Sequence, residues 1–284
     1  MKSNFKAPGK NAIKSKVHHA EPSQYLFYEA AVQSPEWQVH YLPVFHREAL
    51  GTEAYSLRED FCGSGSIACE WARRSKKHKA VGIDLDPEPI EYAIGVNRHA
   101  LKPDEQKRAR FLCQNVLKVT TEKFDMIGAY NFSFYTFHER RTLLRYAKAA
   151  FQSLRTRGTF FLEMMGGDGF MESLQEERVI EIPSVSVGKM IWEQHQYDPI
   201  TAVSDFSIHF RLPRGDWMND VFRYHWRLWG IRDVREILVE AGFKDTYVLW
   251  GELNENGEET REFLLQENAD YQKAWIAYVV GVKK

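Results

Sequence analysis

The sequence predicts an α/β protein built on a doubly wound parallel sheet, and three observations carry that prediction. From residue 51 to 167, short apolar runs alternate with amphipathic ones: "AYSLREDF", "SIACEWARRS", "KAVGIDLD", "PEPIEYAIGVNRHA", "ARFLCQNV", "KFDMIGAYNFS", "ERRTLLRYAKAAFQSL" and "GTFFLEMMG". Strand followed by helix, repeated, calls for parallel crossovers. The first strand runs into a loop of small residues, Gly63-Ser64-Gly65-Ser66, that opens a helix. Nineteen residues after Gly65 a second apolar strand ends in Asp84. Glycines let a ligand approach the backbone, the helix N-terminus offers free N–H groups to an anion, and a strand-end carboxylate accepts the two hydroxyls of a ribose.

The other elements follow in chain order. Residues 1–20 are basic and polar with no apolar run, and are expected to be a disordered tail. Residues 21–50 read as two helices: Glu21-Pro22-Ser23 starts the first, whose aromatic stripe includes Tyr25 and Tyr28, and Pro35 starts the second, which Gly51 ends. This segment is expected either to close as a lid over a ligand or simply to pack. Residues 51–167 form the ligand-binding core. From 168 to 228 the rhythm changes to three long alternating runs, "VGKMIWEQHQYD", "TAVSDFSIHFRL" and "WMNDVFRYHWRLW", joined by turn signals at Asp198-Pro199 and Pro213-Arg214-Gly215-Asp216. They read as an antiparallel β cap inserted after the fifth strand. Residues 229–284 return to the core with the helix "IRDVREILVEAGF", capped by Gly242, and the strands "KDTYVLW" and "AWIAYVVGVK".

The 284 residues are enough for one elaborated α/β domain. Lys plus Arg number 38 and Asp plus Glu 39, so charge supplies no argument for nucleic acid or an anionic membrane as an obligatory partner. Three cysteines, none in a Cys-x-x-Cys pair, fit a reducing cytoplasm, and no metal site is expected. The eight tryptophans and 14% aromatic content suggest aromatic-lined pockets, heavily packed strands or a homodimer face.

Two ligand classes share the loop physics, since Gly63-Ser-Gly-Ser-Ile-Ala68 also satisfies the G-x-G-x-x-A dinucleotide pattern. An NAD-dependent oxidoreductase is therefore one reading, although the first strand comes some fifty residues into the chain and no dehydrogenase centre follows.

Beyond the loop, the chain from about residue 55 onward resembles the class I, Rossmann-like S-adenosylmethionine (SAM)-dependent methyltransferases. "LREDFCGSG" is similar to their first motif and "AVGIDLDPEPIEYA" to their second. "RFLCQNVL", "KFDMIGAYNFSFYTF" and "AFQSLRTRGTFFLEM" resemble the third, fourth and fifth strand regions, and "WIAYVVGVK" the last strand. The resemblance implies a seven-stranded sheet with an antiparallel last strand, SAM as cofactor with S-adenosylhomocysteine as its product, and a small-molecule acceptor. Residue by residue it implies that Glu59 contacts the methionine amino group, that Gly63 and Gly65, with Cys62 between strand and glycines, lie against the methionine portion, and that Asp84 binds ribose. Leu85 is implied to pack on adenine, Asn115 and the Val116 N–H to bind its edge, and Asn131 and Phe132 to lie near the sulfonium and acceptor; Tyr28, with Tyr25, is expected over SAM if residues 21–50 close as a lid. Phe61 departs from the family by occupying the first-glycine position, which leaves open whether Glu59 or Asp60 faces the cofactor.

Methyl transfer by direct displacement asks the protein for alignment and a dry site. If the acceptor must lose a proton, the candidate bases are His138, His195, Glu163 and His209, of which His138 and His195 are the principal expectations. Three alternatives remain beside a small-molecule methyltransferase: a macromolecular N-methyltransferase, since "NFSF" at 131 to 134 outlines an N-P-P-Y tetrapeptide without its prolines, an NAD-dependent oxidoreductase, and a non-catalytic SAM-binding protein.

Overall fold

A computed structural model describes residues 23–182, 186–212, 215–254 and 259–284. The expected disordered tail at 1–20 lies outside the described residues. Two helices lead in, α1 (Gln24–Val32) and α2 (Pro35–Leu50). Ser23 caps α1 through its hydroxyl, and Pro35 sits in the first turn of α2, where a missing N–H costs nothing. Gly51 closes α2 in the left-handed conformation, φ 65°.

The core alternates as the sequence predicts. It runs β1 (Ser56–Asp60), α3 (Ser66–Arg73), β2 (Lys79–Asp84), α4 (Pro87–Tyr92), α5 (Pro103–Gln106), β3 (Ala109–Cys113), β4 (Phe124–Ala129), α6 (Arg140–Ser153) and β5 (Leu154–Gly166). After the cap strands β6 (Leu174–Ile182), β7 (Ser186–Asp198), β8 (Val203–Arg211) and β9 (Trp217–Arg227), the chain returns through α7 (Ile231–Ala241), β10 (Asp245–Leu253), β11 (Glu259–Leu265) and β12 (Trp275–Lys283).

The main sheet has the order β11-β10-β12-β5-β4-β1-β2-β3. Strands β1 to β5 pair in parallel, and β12 enters antiparallel between β5 and β10. The expected seven strands are present, and an eighth, β11, is added at the edge by a hairpin from β10. The run "ETREFLL" gave no sign of this, because a hairpin strand on an edge keeps polar residues on its solvent side. Strand β1 is buried along its whole length, as a central parallel strand covered by helices on both faces must be. One apolar cluster packs α6 and α7 on one face of the sheet, and a second packs α2 and α3 on the other.

The cap is a separate antiparallel sheet, β6-β7-β8-β9. It has four strands where the sequence suggested three: β6, "LQEERVIEI", is charged at alternate and adjacent positions, which hid its pairing with β7. The inner face buries Met190, Phe206, Ile208 and Phe210, and Phe27 of α1 packs on Phe210 with ring centroids 5.4 Å apart. Helix α1 thus lies between cap and core. No helix among the described residues is long and apolar enough to cross a membrane.

Candidate active site

The carboxyl ends of β1, β2, β4 and β5 lie on one edge, which carries Glu59, Gly63, Gly65, Asp84, Asn131 and Glu163. Strand alternation decides between the two acids of β1. Asp60 turns toward α6, where Arg58 Nε and Nη2 donate to its two oxygens at 2.6 and 2.9 Å and the Tyr146 hydroxyl donates at 2.8 Å. It is a fully buried structural carboxylate. Glu59 turns toward α3, where its Oε2 accepts the Ala68 N–H at 2.8 Å. Burial, reinforced by Asp84, Asp60 and Glu29, pushes the Glu59 carboxyl up to about 8 against the opposing pull of that N–H.

Phe61 adopts φ 55°, the left-handed conformation that a glycine supplies at no cost. Its ring packs at 5.6 Å from Phe137 and 5.7 Å from Tyr146, both edge-on, so the side chain points away from the loop and into the core. The backbone turn that the motif needs is kept, and the aromatic contacts hold a residue that would otherwise relax. The two glycines differ in role. A Cβ on Gly63 would meet no atom within 4 Å, leaving room for a ligand, whereas one on Gly65 would sit 2.1 Å from the Phe111 ring, so Gly65 lets β3 close against the loop. Cys62 is buried beneath them, its thiol pushed well up by burial and by the acids around it, and is a filler rather than a nucleophile.

Asp84 orders the loop: its Oδ2 accepts the Gly63 N–H at 2.8 Å and its Oδ1 the Asp86 N–H at 3.1 Å. Leu85 beside it is 67% exposed, an apolar platform next to the strand-end carboxylate. Asn115 uses its Oδ1 to cap its own turn through the Leu117 N–H at 2.9 Å, while Val116 is buried and its carbonyl receives Arg58. Open space at Gly63, the carboxylates of Glu59 and Asp84, and the bare face of Leu85 suit an amino-acid and ribose portion followed by a flat apolar ring, which is the outline of SAM.

Helix α1 closes over this loop. Gln33 Oε1 accepts from the hydroxyls of Ser66 and, at 3.4 Å, Ser64. Asn97 bridges Glu29 at 2.5 Å and the Ser64 carbonyl at 2.9 Å. Sequence reading missed Gln33, Glu29 and Asn97, since no local pattern joins α1 to a loop thirty residues away. Tyr28 turns to the cap: its ring packs tilted against Phe222, centroids 4.8 Å apart, it hydrogen-bonds Tyr224, and burial pushes its phenol up to about 12.

Beyond the loop, Asn131 and Phe132 follow β4 with φ 51° and 58°. The Asn131 N–H donates to Glu163 Oε2 at 2.6 Å, and the Tyr278 hydroxyl to Glu163 Oε1 at 2.9 Å. These residues line a cavity of about 530 Å³ walled by α1 and the start of α2, the ends of β5 and β12, the β10–β11 hairpin, and Met190, Trp192 and Gln194 of the cap. Among the described residues of 168–228, the aromatic side chains that line this cavity are Phe170 and Trp192; Phe206 stacks behind Trp192, Trp226 packs on Phe206, and Phe222 covers α1.

The two principal base candidates are not brought here. His195 falls on the outer face of β7, one residue out of phase with the inward Trp192 and Gln194, and its Nε2 bonds Ser207 at 2.9 Å. His138 is pinned outside the cavity, with Nε2 2.7 Å from the His225 carbonyl and its own carbonyl held by Arg227. His209 also lies on the outer face, 2.9 Å from Glu193. Glu163 is the candidate that lines the cavity.

Compared with families, residues 61–158 match the model described as a methyltransferase domain. No curated protein matches the chain by sequence. Among solved structures, the chain is similar to an S-adenosylmethionine-dependent methyltransferase from Clostridium acetobutylicum, at 15% identity over 91% of this chain and 97% of that one, with a TM-score of 0.63. It is similar to the sugar N-methyltransferase KedS8 from Streptoalloteichus, at 16% identity over 99% and 100% with a TM-score of 0.63. It is also similar to CalS10, an amino pentose methyltransferase from Micromonospora echinaspora, at 13% over 94% and 100% with a TM-score of 0.65. At these identities the likeness is one of fold, and it runs the length of the chain, cap included. The match to a methyltransferase domain at residues 61–158 therefore lies inside a fold shared with solved methyltransferases.

Proposed function

We propose that the protein transfers a methyl group from SAM to a small-molecule acceptor by direct in-line displacement. The observation that carries this reading is the position of the cavity. Strands β1 and β4 are neighbours, with Asp60 opposite Ala129. The Gly63 loop that follows one and the Asn131–Phe132 turn that follows the other therefore flank the same edge, and the cavity begins at that turn. A bound SAM supplies an electrophilic methyl on a good leaving group. The chain's own work is to hold and screen: Asp84 and Glu59 bind hydroxyls and the ammonium, α1 covers the loop, and the cap encloses the acceptor.

A cavity of about 530 Å³ supports a small-molecule acceptor, and the solved neighbours described as sugar and amino pentose methyltransferases agree in kind. Calorimetry with S-adenosylhomocysteine and with NADH tests the cofactor. Binding of the former is expected, and tight NADH binding without it overturns the proposal. Asp84→Ala is expected to weaken S-adenosylhomocysteine binding by about 100-fold or more, because hydrogen bonds to a charged group are worth about 1.5–3 kcal/mol each and two are lost. An affinity like that of the unaltered protein would show that Asp84 is not the ribose acid.

A further inference from the structure

The polar atoms of the cavity wall are not explained by holding the fold together. Among the described residues, seven buried side-chain nitrogen or oxygen atoms have no hydrogen-bond partner, and three of them, Trp37 Nε1, Gln38 Oε1 and Gln272 Oε1, belong to residues that line this one cavity. Leaving a buried polar group unpaired costs about 1–3 kcal/mol, so such atoms are met by water or by a ligand. Gln38 is 6% exposed, and its side chain also hydrogen-bonds Tyr278. Two acceptors and one donor, set apart on α2 and on the segment before β12, suit a molecule with several hydroxyls. Trp192 offers an aromatic face on the cap side.

The charged groups point to a cation. Glu163, Glu176, Glu252 and Glu262 line the cavity with Arg178 and Lys273, and both cations already pair with carboxylates, Arg178 with Glu176 and Lys273 with Glu172. Glu163 is the carboxylate placed at the Asn131 turn, and it is 8% exposed. Its hydrogen bonds from the Asn131 N–H and the Tyr278 hydroxyl fix its orientation, and each carboxylate oxygen accepts more than one donor.

Resting on the methyl-transfer reading, we infer that the acceptor is a hydroxyl-bearing amine, that Gln38, Gln272 and Trp37 read its hydroxyls, and that Glu163 takes the proton from its ammonium. The protonation chemistry favours nitrogen over oxygen. An alkylammonium loses its proton near pH 10.4, about 6 units above an ordinary carboxyl, whereas water at 15.7 lies about 11 units above, out of a carboxylate's reach. The step balances. The ammonium gives one proton to Glu163, the freed nitrogen lone pair forms the N–C bond as the C–S bond breaks with its electron pair leaving on sulfur, and Glu163 passes the proton to solvent.

The test uses the full chain with methyl glycosides of aminodeoxy hexoses, their parent hexose glycosides, and cyclohexylamine. With S-adenosylhomocysteine bound, calorimetry is expected to show the aminodeoxy glycosides binding at least tenfold more tightly than either control. Glu163→Gln is expected to keep S-adenosylhomocysteine affinity within about twofold, to weaken amine binding at least tenfold, and to slow methyl transfer from SAM by about 10²–10⁴, the usual contribution of a positioned base. Its rate should recover as pH approaches the amine's own pKa, where the acceptor arrives already deprotonated; a merely structural role for Glu163 would not produce that recovery. Gln272→Leu should erase the preference over cyclohexylamine while leaving S-adenosylhomocysteine affinity unchanged.

Parent hexosides bound or methylated as well as the amines, no amine preferred within the panel, a Glu163→Gln enzyme of unchanged rate, or a loss without recovery at high pH would each overturn the inference. Failure of the unaltered protein to bind S-adenosylhomocysteine would instead overturn the methyl-transfer reading beneath it.

Discussion

Glu59 shows how a single residue is tuned by where it sits. Its burial, with Asp84, Asp60 and Glu29 as further acids nearby, raises its carboxyl to about 8 against the single N–H it receives. Because the folded value lies above the ordinary carboxyl value of about 4.3, the folded chain favours the protonated form. Between those two values the ligand-free protein loses stability as pH rises, and above about 8 the loss is complete. A bound ammonium reverses the preference by favouring the carboxylate. Cofactor-product binding at pH 7 is therefore expected to release close to one proton, and its affinity to rise as pH increases from 6 to 8. Calorimetry in buffers of different ionisation enthalpy measures that release, and Glu59→Gln should abolish it. Phe61 marks the other limit of reading single residues. From sequence it put the motif in doubt, yet a left-handed non-glycine residue costs about 1–2 kcal/mol, an amount that packing against Phe137 and Tyr146 can offset.

Strands and helices here are joined by buried polar and aromatic side chains outside the glycine loop. Asp60, the rival of Glu59, ties β1 to α6 through Arg58 and Tyr146, and Arg58 reaches on to the Val116 carbonyl after β3. All three ionisable partners are buried. Asp60→Asn would strand a buried guanidinium, and breaking such a pair from one side costs about 3–5 kcal/mol. A fall of that size in unfolding free energy, read from urea denaturation, is the expected outcome; a change below about 1 kcal/mol would show the pair to be dispensable. Helix α1 plays the corresponding part at the surface of the site, touching the loop through Gln33 and Glu29 and the cap through Phe27 and Tyr28.

At the scale of the molecule, the Gly63 loop and the cavity share Gln33 as a wall, so a ligand that binds the folded chain alone should stabilise all of it. S-adenosylhomocysteine at 100 times its dissociation constant is expected to add about 2.7 kcal/mol and to raise the melting temperature by about 5–10 °C. An unchanged melting temperature at that concentration would count against the site. The sequence by itself determined the doubly wound core and proposed its cofactor residues, because Glu59, Gly63, Gly65 and Asp84 lie within 26 residues along one strand–loop–helix–strand unit whose geometry is set locally. It also reached Glu163, though only as one candidate among four. What tertiary structure alone decided is the cavity at the Asn131 turn. Gln38 comes from α2, Glu163 from β5, Trp192 from the cap and Tyr278 from β12. No periodicity links residues so far apart, and one residue of strand phase sends His195 to solvent and Gln194 inward. Sequence patterns record what neighbouring residues impose on one another; a cavity is made by the packing of elements that are strangers in sequence.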